Sequence, residues 1–436
     1  MKEKSSNIRW NILVLMALAS AVAYILRTNM SIVGETMMKG LGFSEIQLGM
    51  IFASFAWGYA VFQFPGGILG EALGSRKAMT LIALLWGVLT LLNGLIPGRP
   101  FASVPTIVGI LIVLRFFVGV VQAPLFPIVG RVISDWFPVS GWAFPNGLTN
   151  TGLTLGAAAA GPLIVWIMKD HGWRGSFYWT SPLAFVMAIL WWWYVRDYPR
   201  NHKSVNEKER DLIEANRHPA NETRTKGIWK VALKNREIFL LTLSYFCMNY
   251  VFYIFFSWLF YYLVDVRGYS KNQAGVMNSV FWIMGAIGGA IGGLFCDRLV
   301  RKYGARSGYR FVPVFGLVLT ALLLFVAALT TNAYVALAFF SVSFALTQVT
   351  DSSYWAAAIA IGDKHAAAAA CGILNTGGNA VGGINGLLVP ITAKYFGWTA
   401  AITTGSIFAL AAAILMLFVN ADKTIIFNTE NTEVTE

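Results

Sequence analysis

Two arginines, Arg27 and Arg115, stand inside apolar stretches of this 436-residue chain, and neither has an acid at i±3 or i±4. A neighbour at those spacings is what a helical ion pair requires. A guanidinium is always protonated and offers a planar fork of donors that matches a carboxylate or phosphate. Two such groups without local counterions form a positive cavity that a mobile anion can neutralise. Asp351 is the one evident acid deep in an apolar stretch, with Trp355 one helical turn later on the same face. It could carry a coupling proton, or balance an arginine when no anion is bound. It could equally be a structural cap or interhelical partner. Other polar residues recur at helical spacing: Tyr24 with Arg27, Tyr59 with Gln63, and Asn375 with Asn379. These could orient a ligand's hydroxyls or a second acid group; the alternative is an interhelical hydrogen bond, worth about 0.6 kcal/mol on average. Trp258 and Trp355 could wall a ring or carbon chain, or anchor at an interface.

The elements that must hold these residues follow from composition. Hydrophobic residues make up 57% of the chain and charged ones 12%. A soluble domain carries roughly 25% charged residues, so a soluble enzyme, a nucleic-acid binder and a disordered chain are all excluded. A bilayer core of about 30 Å takes around 20 apolar residues as helix. Twelve spans are expected, at about 10–33, 46–70, 78–97, 104–130, 143–168, 175–195, 238–263, 273–296, 311–330, 333–361, 366–393 and 397–419. Continuous β-alternation is absent, so helices must satisfy the backbone in lipid. The first span lacks a small-residue cleavage site and is expected to be retained. With the amino terminus inside, 24 Lys/Arg fall on the cytoplasmic side and 7 opposite, as the positive-inside rule demands. Both termini are then cytoplasmic, and the net charge of +12 is mainly a topology signal, with anionic membrane lipid as a secondary partner. Cys247, Cys296 and Cys371 are too scattered for a disulfide framework or zinc site. No phosphate-binding loop, metal cluster or nucleophile–His–acid set is visible. Neither enzymatic activity, cofactor nor metal is therefore expected.

The chain also reads as duplicated. Asn150-Thr151-Gly152 recurs as Asn375-Thr376-Gly377 and Gly172-Trp173 as Gly397-Trp398, each 225 residues later; Gly67-x-x-x-Glu71 is echoed by Gly293-x-x-x-Asp297. The expected organisation is a six-helix bundle over 1–195, a cytoplasmic linker over 196–237, a second bundle over 238–422 and a cytoplasmic tail over 423–436. Parallel repeats of this kind occur in a large class of secondary transporters, with the site near the midplane. Glu71, Asp135 and Asp297 lie near cytoplasmic helix ends, beside Arg76, Arg131 and Arg298. Ion pairs there could lock an inward gate and break as one half rocks against the other.

The segment from Gly66 to Lys77 resembles the loop between helices two and three of the major facilitator superfamily, with Glu71 as its acid and Ala72 where an arginine is usual. Within that superfamily the chain resembles the anion:cation symporters, which include sugar-acid, phthalate and allantoate permeases and the sialic-acid and vesicular glutamate carriers. The resemblance rests on Tyr24-x-x-Arg27-x-x-x-Ser31, Tyr59-x-x-x-Gln63-x-Pro65-Gly66-Gly67, and Arg115-x-x-x-Gly119-x-x-Gln122-Ala123-Pro124-x-x-Pro127. Trp136-Phe137-Pro138, Gly172-Trp173-Arg174, Trp258-x-x-Tyr261-x-Leu263 and Asn375-x-x-Gly378-Asn379 extend it. It implies an all-α membrane protein with the major facilitator fold, twelve transmembrane helices in two parallel six-helix repeats. It implies alternating-access transport of a small organic anion, a carboxylate such as a sugar acid or aromatic acid. Arg27, Arg115, Tyr24, Tyr59, Gln122, Trp258, Trp355, Asn375 and Asn379 are the candidate contacts; for Arg115 the resemblance also allows a structural or gating role. Proton symport is the family expectation, with sodium as the alternative coupling ion. Many bacterial members carry an acid just before the helix-one arginine and a Glu seven residues after the helix-four arginine; here these are Leu26 and Gln122. Neither can cycle a proton, which leaves Asp351 as the coupling candidate and keeps anion exchange or facilitated diffusion open. A non-transporting membrane sensor would need an output domain that the linker and tails do not contain. The expected setting is a monomer in the bacterial inner membrane, with no nucleic-acid partner.

Overall fold

A computed structural model describes residues 5–98, 101–138, 143–214 and 228–423, apart from a few side chains that include Glu71 and residues 363–365. Every long regular element among them is a helix: α1 (Ile8–Leu41), α2 (Glu45–Leu73), α3 (Ser75–Gly94), α4 (Val104–Gln122), α5 (Leu125–Trp136), α6 (Ala143–Tyr194), α7 (Glu207–Glu214), α8 (Ile228–Lys234), α9 (Arg236–Tyr261), α10 (Lys271–Leu329) and α11 (Ala333–Phe418). Part of the expected linker, 215–227, and the tail beyond 423 lie outside the described residues.

Among the described residues, nine helical stretches are long and apolar enough to cross a membrane. Three of them, Phe144–Tyr194, Lys271–Leu329 and Ala369–Phe418, run 50 to 59 residues. At 1.5 Å per residue each would reach about 75 Å or more if straight, over twice the apolar thickness of a bilayer. Each instead contains one left-handed glycine: Gly172 (φ 64), Gly304 (φ 78) and Gly397 (φ 83). Only glycine adopts that conformation without a Cβ clash, so one glycine interrupts the regular helical backbone within each stretch.

The duplicated motifs adopt matching local structures. Gly172 and Gly397, both followed by Trp, share the left-handed turn. Gly42 and Gly268, 226 residues apart, do the same at φ 77 and 71. Each begins a Gly-aromatic-Ser-x-x-Gln segment. Ser44 and Gln47 close a reciprocal capping box at the start of α2. Ser270 and Gln273 exchange the same bonds at the start of α10. Such caps satisfy backbone donors that helix geometry leaves orphaned.

The chain forms two compact units: Met1–Asn221 with Tyr253–Ala286 and Gly382–Ala401, and Glu222–Phe252 with Ile287–Val381 and Ile402–Glu436. In the first, glycines bring helix backbones together. A Cβ on Gly152 would lie 2.3 Å from the Ala17 carbonyl oxygen and one on Gly156 2.3 Å from that of Ala21, which seats α6 on α1. Gly119 and Gly58 do the same for α4 and α2: a Cβ on Gly119 would lie 2.2 Å from the Phe55 carbonyl oxygen. A core around Trp86, Trp136 and Trp191 completes this unit. In the second, Gly377 packs on Thr242, the residue 225 positions after Ala17, so the repeated Asn-Thr-Gly makes the repeated contact.

Gly119→Ala is expected to force α2 and α4 apart. Overpacking of this kind costs about 1–3 kcal/mol, so the detergent-solubilised protein should melt at a lower temperature. An unchanged melting temperature would mean that the two backbones can separate without strain.

Candidate anion site

Close packing of α2 on α4 carries Phe55 and Tyr59 to the residues with unpaired charge. Arg27 on α1 is 3% exposed and Arg115 on α4 4%. The Arg27 guanidinium donates to the hydroxyls of Tyr24 (3.3 Å) and Tyr253 (3.2 Å). It lies over the rings of Phe256, Phe55, Tyr59 and Tyr24, with its carbon 4.6 to 5.3 Å from their centroids. Ring faces attract a cation by about 0.5–2 kcal/mol each, which offsets part of the cost of burying it. Its Nε has no partner. Arg115 shares the same ring, 4.8 Å from the Phe55 centroid, and its Nε is also unpartnered. Neither guanidinium meets a carboxylate among the described residues.

Among the described residues, the buried acids of this unit are engaged elsewhere. Glu209 accepts from Ser6 and from the backbone N–H groups of Ile8 and Arg9, capping α1. Glu35 pairs with Lys39 (2.8 Å) and Lys271 (3.5 Å). Gln122 donates to the Ala23 carbonyl oxygen at 3.2 Å, tying α4 to α1. Gln63 is 6% exposed, with its amide against the Tyr59 hydroxyl one helical turn earlier on α2. Trp258 is fully buried in an aromatic cluster with Phe52, Tyr261 and Trp398, which fits a packed wall.

Tyr253 was not singled out from the sequence, although a signal exists. Tyr24-x-x-Arg27 recurs 226 residues later as Tyr250-x-x-Tyr253, and Arg27 bonds its own counterpart. The same exchange relation governs a clasp near the far end of α1. Lys39 pairs with Asp265, its counterpart at 226. Glu35 with Lys271 is mirrored by Tyr261 with Glu45 (2.8 Å), each residue replaced by its counterpart. Glu35→Gln removes the one buried charge that both lysines share, so amide hydrogen exchange around residues 36–44 and 262–270 is expected to rise several-fold. Unchanged protection would show that this clasp does not hold the helix ends together.

The expected gate residues divide. Arg131 pairs with Asp135 (3.5 Å) and donates to the Gly70 carbonyl oxygen (3.0 Å), joining α5 to α2. Both line a groove of about 530 Å³ with Gly67, Gly70, Pro127 and Ile128, separate from the arginine cluster. Arg76 instead donates to the Trp192 carbonyl oxygen, and its backbone N–H to Asp197. Asp297 is exposed on α10 and forms no ion pair among the described residues, Arg298 included. The Glu71 side chain is not among those described.

The remaining candidates belong to the second unit. Asp351 accepts a 2.9 Å bond from the Tyr245 hydroxyl and has no cationic partner among the described residues. Trp355 stands edge-on to the same Tyr245. Asn379 donates to the carbonyl and side-chain oxygens of Asn375, at 2.9 and 2.8 Å. Gly378 lets α11 approach Tyr245, which a Cβ would meet at 2.4 Å.

Residues 16–386 match the sequence model of the family described as Major Facilitator Superfamily. The chain belongs to the Major Facilitator Superfamily. It is an anion:cation-symporter-like member, a multi-pass integral membrane transporter and not an enzyme. One superfamily relative is the probable galactarate/D-glucarate transporter GudP of Bacillus subtilis, 30% identical over 90% of this chain and 86% of that one. Another is the probable sulfoacetate transporter SauU of Cupriavidus necator, 30% identical over 89% and 87%. The fold is similar to the crystal structure of a bacterial homologue of the human lysosomal transporter Spinster, with a TM-score of 0.81 at 16% identity, covering 97% of this chain and 98% of that one.

Proposed function

We propose that this protein moves a small organic anion, a carboxylate such as a sugar acid, across the membrane by alternating access. One observation carries the reading: two buried guanidiniums share an aromatic ring and meet no fixed acid among the described residues. A permanent cation in such a setting is costly and marks a functional site, and a bound carboxylate supplies the missing charge through forked hydrogen bonds. The names of the relatives, transporters of sugar diacids and of sulfoacetate, support the same substrate class. In this reading the left-handed glycines 172, 304 and 397 divide the long helices into twelve spans in two six-helix repeats. Both termini face the cytoplasm, and the membrane is the bacterial inner membrane.

Coupling to protons runs through Asp351, whose hydrogen bond from Tyr245 makes its protonation state felt between α9 and α11. The second reading is exchange or facilitated diffusion, favoured by Leu26 and by Gln122, which is turned to a backbone carbonyl. Proteoliposomes separate the two. Symport predicts accumulation of a sugar acid under an imposed acid-outside gradient, and exchange predicts counterflow that ignores the gradient. Failure to bind or move any organic acid would overturn the transport assignment itself.

A further inference from the structure

We propose that the Tyr253 hydroxyl is an internal stand-in for the substrate's acid group: it occupies Nη2 of Arg27 while the site is empty, and the incoming carboxylate displaces it. This rests on the reading of the Arg27 cluster as the anion site and adds how that site is held closed. The guanidinium is 3% exposed and enclosed by four rings, so a carboxylate reaches it only when a group already in contact withdraws. Two hydroxyls accept from its terminal nitrogens, Tyr24 from Nη1 and Tyr253 from Nη2, whereas Nε is buried with no partner. Nε and Nη2 make up one edge of the planar fork. A carboxylate seated on that edge satisfies the orphaned Nε, takes the place of Tyr253 and leaves Tyr24 bonded. The exchange is favourable, because a bidentate contact between opposite charges is stronger than a single bond to a neutral hydroxyl.

The two tyrosines differ in what moves with them. Tyr24 sits one turn from Arg27 on α1, so the bond between them travels with that helix. Tyr253 is on α9, and its bond ties α9 to the guanidinium. Its ring is seated where α11 has no side chain: a Cβ on Gly382 would lie 2.6 Å from two ring carbons of Tyr253. The missing methyl lets the hydroxyl reach Arg27. Substrate occupancy and the tie from α9 are then alternatives, and by linkage the strength of the tie is subtracted from the affinity of the site. Tyr253 is a positioning residue that lowers affinity and is released when the site fills, not a contact that the substrate keeps.

Tyr253→Phe removes only the oxygen and keeps the ring on Gly382. Binding is measured by calorimetry on the purified full-length protein in detergent. The probe is whichever of D-glucarate, D-galactonate, D-glucuronate and sulfoacetate binds the unaltered protein most tightly. The variant is expected to bind that acid about three- to tenfold more tightly, the worth of one net hydrogen bond. Its melting temperature is expected to fall without ligand and to equal that of the unaltered protein at saturating ligand, because the lost bond exists only in the empty form. Gly382→Ala crowds the ring off Arg27 while keeping the hydroxyl; it is expected to tighten binding as well, and it decides the matter if the Phe variant does not fold. Tyr24→Phe is expected not to tighten binding, and equal tightening there would overturn the assignment to Tyr253. Weaker binding by Tyr253→Phe would make the hydroxyl a substrate contact. Unchanged affinity, with both melting temperatures lowered equally, would make it structural. Either result overturns the proposal and leaves the anion site standing, whereas binding of none of the four acids to the unaltered protein would remove the anion-site reading itself.

Discussion

Arg27→Gln is expected to abolish organic-anion binding while leaving the helices folded. A bidentate guanidinium–carboxylate contact contributes two hydrogen bonds to a charged group. At about 1.5 kcal/mol each, their loss is a fall of roughly a hundredfold in affinity. The substitution also deletes a buried charge that has no fixed acid beside it. Removing an unpaired ion of this kind relieves a desolvation cost, so the ligand-free protein should melt at the same temperature or higher. Thermal shift reads both effects at once: the melting point without ligand is kept, and the increase on adding a sugar acid vanishes, because only binding to the folded form raises apparent stability. Arg27→Lys keeps the charge and loses the fork, and should fall between the two. A ligand-induced shift that survives Arg27→Gln would remove this residue from the site.

Asp351→Asn is expected to eliminate accumulation driven by a proton gradient and to spare counterflow. The amide is nearly the same size, and its oxygen can still accept from the Tyr245 hydroxyl now bonded at 2.9 Å. The packing of α9 on α11 is therefore retained. What is lost is the ability to cycle between charged and neutral forms, which any proton carrier requires. Uptake into proteoliposomes with an imposed pH gradient, compared with exchange at equal pH, measures each separately. If the Asn variant accumulates substrate as the unaltered protein does, the proton passes elsewhere or does not pass at all. If counterflow is lost as well, the carboxylate serves the structure or the substrate rather than the coupling.

The sequence alone determined the class and the principal charges. An excess of apolar residues over charged ones, in helix-length stretches, leaves membrane helices as the stable solution. An arginine in such a stretch is conspicuous because its burial is so costly, so Arg27 and Arg115 were legible without coordinates, as was Asp351. Gly172 and Gly397 were visible as a repeated Gly-Trp pair, although the turn they make was not. Tertiary structure decided the partners. That Phe55 is shared by two cations depends on how closely α2 approaches α4 through Gly58 and Gly119. The bond from Tyr253 to Arg27 crosses 226 residues of sequence, a separation at which helical periodicity carries no information. Gln122 turned to a backbone carbonyl, and Asp297 stood exposed without the ion pair that its neighbour Arg298 suggested. Spacing fixes which face of a helix a side chain occupies, but the element that packs against that face is set by the whole chain, because burial and hydrogen bonding are satisfied between helices rather than within one.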